Sequence, residues 1–180
     1  MALIRRVLLL RGVNVGGAGK LPMAELRAAL EGIGAQAPRT LIQSGNAVFE
    51  HAEPDAAALA ARISAAIEAR AGFRPDALVE EAAAFAARLD APPFPEAEPA
   101  RLHVFHFVDA GPTAPDAEAR LEALRAPSET FALRPFGLVL HAPEGVGRSK
   151  LATGAERALG RAVTARNLNT LRKLAALSGA

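Results

Sequence analysis

One order of elements runs through this chain twice. Leu3 to Arg11 crowds apolar residues onto both faces, which predicts a buried strand. After a Gly-rich loop, Pro22 sits where a first helical turn accepts it. Met23, Leu26, Leu30 and Ile33 then keep helical spacing until Gly32 and Gly34. Arg39 to Gln43 and Ala47 to Glu50 read as strands joined through Ser44-Gly45-Asn46, a hairpin signal. Asp55 to Ala71 is an Ala-rich helix ended by Gly72, and Ala77 to Glu80 is a fourth strand. A helix over Glu81 to Leu89 follows, and Pro92, Pro93, Pro95 and Pro99 mark a linker.

The order then returns. Strand Leu102 to Val108, helix Asp116 to Arg125 and a hairpin of Thr130 to Arg134 with Leu138 to His141 lead to helix Ser149 to Leu159 and a weak strand, Ala162 to Ala165. A last helix, Leu168 to Leu177, is extra. The expected fold is α+β, with tandem ferredoxin-like βαββαβ halves at 1–91 and 100–180 around linker 92–99.

That topology has a geometric consequence. In each half the first and second strands run parallel with the third antiparallel between them. The loop Arg11 to Lys20 and the turn Ser44 to Asn46 therefore belong to one sheet edge. By the same logic Gly145 to Lys150 and Arg166 to Thr170 share an edge in the second half.

Charge follows these segments. Net charge is +2, but residues 1–46 sum to +4, residues 47–144 to −8 and residues 145–180 to +6. Basic ends around an acidic middle suggest an anionic partner for the ends.

The loop Arg11-Gly-Val-Asn-Val-Gly-Gly-Ala-Gly-Lys20 joins strand to helix, where backbone N–H groups cradle phosphates. It is not a P-loop: Asn14 stands where the first Gly belongs and Leu21 where Ser or Thr binds magnesium. Nor is it G-x-G-x-x-G, because Pro22 takes the last Gly position. A general anion or backbone-docking loop remains, beside a plain tight turn.

Gln43-Ser44-Gly45-Asn46 reads as a turn to which Gln43 adds a long amide. Gly147-Arg148-Ser149-Lys150 opens a helix with two cations, Ser149 being the expected N-cap. Cations there oppose the helix dipole and are more easily explained by a bound anion. Arg166-Asn167-Leu168-Asn169-Thr170 offers similar chemistry, with Lys173 one turn on. Arg11, Lys20, Arg148, Lys150, Arg166 and Lys173 are expected to neutralise charge. Asn14, Gln43, Ser44, Asn46, Ser149, Asn167 and Asn169 orient a ligand, and Gly16 and Gly17 allow close approach.

Other chemistries fit poorly. The chain has no cysteine, hence no disulfide, thiolate metal site or Cys nucleophile, and a cytoplasmic location is expected. Met1-Ala-Leu-Ile-Arg-Arg places charges inside a hydrophobic run, unlike a signal peptide. No apolar run approaches the roughly 20 residues that span a bilayer. His103 and His106, three apart on a strand, point to opposite faces and cannot share a metal. No Gly-x-Ser-x-Gly occurs, and the candidate segments hold no carboxylate or imidazole for acid–base work. RNA recognition through a sheet face wants aromatics on the first and third strands. In the first half Phe49 stands alone, in the second Phe105 and Phe107 find no partner ring on Leu138 to Leu140, and there is no Trp or Tyr. No cofactor is expected.

Leu10-Arg-Gly-Val-Asn-Val-Gly-Gly, Lys20 to Arg27, Gln43 to Asn46 with Phe49, Gly147 to Leu151 and Thr164 to Thr170 together resemble the family called domain of unknown function 1697. The resemblance covers nearly the whole chain. It implies a small bacterial-type cytoplasmic protein of tandem α/β halves with no established activity. One departure stands out: the family usually has Trp between the last two asparagines, where this chain has Leu168.

Three readings stay open. The first is a non-catalytic protein binding a phosphate-bearing ligand, either a nucleotide or nucleic-acid backbone. The second is a phosphoryl- or nucleotidyl-handling enzyme using the same loops. The third is a structural, self-associating protein, such as a homodimer, because Val7 to Leu10 and Val104 to Val108 leave each sheet an apolar second face to cover.

Overall fold

The structure, a computed structural model, describes residues 2–17 and 19–179; Ala18, inside the Gly-rich loop, lies outside them. The chain divides into two compact units, 1–90 with 172–180, and 91–171. Each contains one βαββαβ ferredoxin-like fold.

In the first unit, β1 (Ile4–Leu10), α1 (Met23–Gly32), β2 (Gln36–Leu41), β3 (Asn46–His51), α2 (Ala56–Ala71) and β4 (Ala77–Glu81) build an antiparallel sheet of order β2-β3-β1-β4. Strand alternation sends Leu8, Leu10, Ala47, Phe49 and Val79 to one face. There they pack with Leu26 and Leu30 of α1 and Leu59, Ile63 and Ile67 of α2. Asp55 caps α2 by accepting the Ala57 and Ala58 N–H groups at 2.9 and 3.1 Å, and Gly72, at φ 75°, closes its far end. A short helix, α3 (Ala82–Ala87), follows β4 and buries Phe85.

The sheet's second face is apolar as well: Val7, Leu9 and Val48 are buried there. The last helix ends beside it. Arg5 Nη1 donates to the Ser178 carbonyl at 2.8 Å, and Arg39 Nη2 donates to the Leu177 carbonyl. The chain from Arg172 onward thus counts with the first unit, although the sequence pattern assigns that helix to the second half.

In the second unit, β5 (Leu102–Phe107), α4 (Ala117–Leu124), β6 (Thr130–Arg134), β7 (Gly137–His141), α5 (Lys150–Leu159) and β8 (Val163–Asn167) give a sheet of order β6-β7-β5-β8. Phe105, Phe107, Leu138, Leu140 and Val163 pack against Leu121 of α4 and Leu151, Ala155 and Leu159 of α5. A single 3-10 turn, Val146–Arg148, precedes α5, and α6 (Leu168–Ser178) follows β8.

One strand is displaced from its expected span. β2 begins at Gln36, and Ile42 and Gln43 belong to the turn. A bulge between Gln36 and Arg39, with Ala37 at φ 47°, accommodates Pro38. Pro38 survives because β2 is an edge strand, where a missing N–H breaks no central ladder. Among the described residues no helix is long and apolar enough to cross a membrane.

Candidate functional site

In the first unit the Gly-rich loop and the β2–β3 turn meet. Leu9 pairs with Asn46, and the Leu10 N–H donates to the Gly45 carbonyl at 2.9 Å. Asn14 joins the two segments. Its Nδ2 donates to the Gln43 carbonyl at 2.6 Å and the Leu21 carbonyl at 2.9 Å, while its Oδ1 accepts the Leu21 N–H at 2.9 Å.

That bonding reassigns several side chains from ligand contact to loop architecture. The Asn14 amide is fully engaged. Asn46 is completely buried and donates to Ser44 Oγ at 2.8 Å and the Leu41 carbonyl at 3.2 Å, which occupies both residues inside the turn. Arg11 faces Asp76 at 2.9 Å, so a carboxylate of the acidic middle already neutralises it. Gly16 and Gly17 adopt φ 61° and 81°, yet a side chain at either would meet open space. Both φ values lie in the left-handed region that glycine adopts without strain. Lys20 and the Gln43 side chain remain exposed at this edge, beside two exposed apolar residues, Val15 and Ile42.

In the second unit β7 and β8 both run antiparallel to β5, so they are parallel to each other. Both end where β5 begins: His141 pairs with Leu102, and Asn167 with His103. The segments leaving them share that edge, as the topology requires, but residues 166–170 do not line the cavity at the start of α5.

Asn167 Oδ1 accepts the Thr170 N–H at 2.9 Å and caps α6. Arg166 pairs in register with Val104, on the face turned away from α4 and α5. It donates to Thr164 Oγ1 at 2.9 Å and the Ala165 carbonyl at 2.8 Å. Burial pulls its pKa down to about 10. Asn169 and Lys173 are exposed on α6. Leu168 is 2% exposed and belongs to the core.

Around the start of α5 the arrangement differs. Ser149 caps the helix, its Oγ accepting the Ala152 N–H at 2.9 Å. Arg148 and Lys150 flank it, and Arg157 joins them two turns on, at the spacing that shares a helix face. With Thr153 and Gly154 they line a cavity of about 280 Å³. Lys150, Gly154 and Arg157 form a helical stripe in the sequence; that periodicity is the signal through which Arg157 was open to discovery.

The three cations have no counter-charge. Arg148, Lys150 and Arg157 make no hydrogen bond or ion pair among the described residues, and no carboxylate or imidazole lines their cavity. The contrast with the rest of the molecule is sharp. Apart from Arg172, every other arginine engages a carboxylate, hydroxyl or carbonyl, as Arg70 does with Glu25 and Arg161 with Asp109. The opening turn of a helix also presents unpaired N–H groups and a positive dipole end, which adds to the cations' mutual repulsion.

Metal chemistry finds no geometry here. Among the described residues no group of three or more His, Asp or Glu side chains is placed to hold an ion. His103 and His106 lie on opposite faces of β5. Burial lowers the pKa of His103, and the Arg101 charge pushes the same way against a hydrogen bond with the Arg101 backbone.

Comparison with known proteins agrees with this architecture. The conserved bacterial protein SP0830 from Streptococcus pneumoniae has a solved structure similar to this one over 98% of this chain and 99% of its own, with a TM-score of 0.77. Identity is 24%, a level at which the likeness concerns the fold alone. Among curated proteins none matches. The family described as "Protein of unknown function (DUF1697)" matches residues 3–136, most of the length. The chain is a member of that family.

Proposed function

We propose that this protein binds a small phosphate-bearing ligand at the N-terminal end of α5, in the cytoplasm. The observation that carries the reading is the convergence of Arg148, Lys150 and Arg157, without counter-ions, on one cavity. Like charges held together at the positive end of a helix repel, and an oxyanion among them relieves that repulsion while accepting charge-assisted hydrogen bonds.

The absence of any base among the lining residues favours holding a ligand over acid–base turnover. A concave site also suits a compact anion better than an extended nucleic-acid backbone, whose contacts follow a long basic stripe.

Calorimetric titration of the intact protein with inorganic phosphate and pyrophosphate tests the proposal. Saturable binding is expected, and the double substitution Arg148→Ala, Lys150→Ala weakens it at least about tenfold, as loss of charged hydrogen bonds implies. Both side chains are exposed and repel each other, so the melting temperature does not fall in the variant. No binding by the wild type, or equal binding by the variant, overturns the reading.

A further inference from the structure

We infer that the ligand of the α5 site is an aliphatic phosphomonoester, whose alkyl body lies in the trough between α4 and α5. This rests on the anion-binding reading above and extends it to the class of ligand.

The cavity holding Arg148, Lys150 and Arg157 does not end at the helix start. It shares Leu124, Gly154 and Arg157 with a trough of about 420 Å³ that continues along α4 and α5. Ala123, Leu124 and Ala158 make that trough apolar, and its volume falls within the roughly 300–1,000 Å³ of small-molecule sites. The two cations beside it differ in state. Arg120 is neutralised by Asp116 at 2.8 Å, whereas Arg157, at the junction, has no partner. Charge is thus concentrated at one end and apolar surface at the other, which is the complement of a single-headed amphiphile.

Gly154 supports the trough independently. It sits inside α5, where Gly costs about 1 kcal/mol against Ala. A Cβ there would stand 2.6 Å from Leu124 Cδ1, so the missing side chain lets Leu124 of α4 settle against α5 as the apolar floor that cavity and trough share. The lining also separates ligand classes. No aromatic ring borders either cavity, so a nucleobase finds no stacking surface, while an alkyl chain needs only apolar contact.

Titrations of the intact protein with inorganic phosphate, hexyl phosphate and hexanol test this. Hexyl phosphate should bind at least about tenfold more tightly than phosphate, since each buried methylene favours binding. Hexanol alone should not bind measurably. Ala123→Gln, at an exposed trough position, should remove the alkyl advantage and leave phosphate affinity intact. Equal affinity for phosphate and hexyl phosphate overturns the inference while the anion site stands; failure of both to bind overturns the two together. The ligand is a free molecule, so vesicles of phosphatidylcholine with phosphatidic acid should not sediment the protein. Sedimentation without a response to hexyl phosphate contradicts this inference.

Discussion

Asn14 and Gln43, 29 residues apart, are joined by a 2.6 Å hydrogen bond from the Asn14 amide to the Gln43 carbonyl. The bond ties the Gly-rich loop to the β2–β3 turn. Asn14 is suited to it because it tolerates φ 55° while its amide bridges both segments.

Asn14→Ala should therefore destabilise the protein by about 2 kcal/mol, from the lost amide bonds and the left-handed backbone. Asn14→Gly, which keeps the backbone conformation and loses the bonds, should fall between variant and wild type. Urea unfolding checks both, and a loss below about 0.5 kcal/mol for Asn14→Ala, ordinary for a surface site, contradicts the assignment.

Gly45 and Gly16 should respond differently to alanine. A Cβ at Gly45 would lie 2.8 Å from Leu10 Cβ, with φ at 74°, whereas at Gly16 it meets nothing. Gly45→Ala combines overpacking with backbone strain and should cost about 2–4 kcal/mol; Gly16→Ala carries the strain alone, about 1–2 kcal/mol. Thermal unfolding of the two variants side by side gives the comparison.

Ile42 is a β-branched residue at φ 51° that is 55% exposed, so it strains the backbone with little burial in return. Ile42→Asn should raise stability by about 1 kcal/mol. An unchanged or lowered urea midpoint shows that the side chain makes a contact worth more than the strain.

Much of this architecture was legible in the sequence. Gly72 ends helix α2 in a left-handed cap, and Ser149 caps α5, because each such position admits few residue types. Pro38 hid the start of β2, since its tolerance there depends on β2 being an edge strand, a tertiary property. The candidate site was legible in its residues more than in their roles. Arg11 is quenched by Asp76, 65 positions away, and no local pattern reveals that pairing. The capping role of Asn167 was not legible either, because its oxygen finds the Thr170 N–H at 2.9 Å only once α6 is in place.

Asp109 should make stability pH-dependent. Burial pushes its carboxyl up, but the Arg161 guanidinium and the Ala162 and Gly111 N–H groups outweigh this and hold its pKa below the ordinary 3.8. A depressed folded pKa stabilises the native state above the unfolded value, and that contribution is lost as pH falls through the folded value. The stability gap between wild type and Asp109→Asn should be constant above about pH 5 and narrow below the ordinary aspartate pKa. Urea unfolding from pH 7 to pH 2.5 measures it, and a gap that widens on acidification contradicts the sign.

The most direct test of the anion site is a titration of isotope-labelled intact protein with inorganic phosphate, followed by amide and arginine side-chain NMR. Shifts should cluster at Arg148 to Thr153 and at Arg157, and leave Asn14 to Gly17 unmoved. No shifts at all, or shifts confined to the Gly-rich loop, would contradict the account.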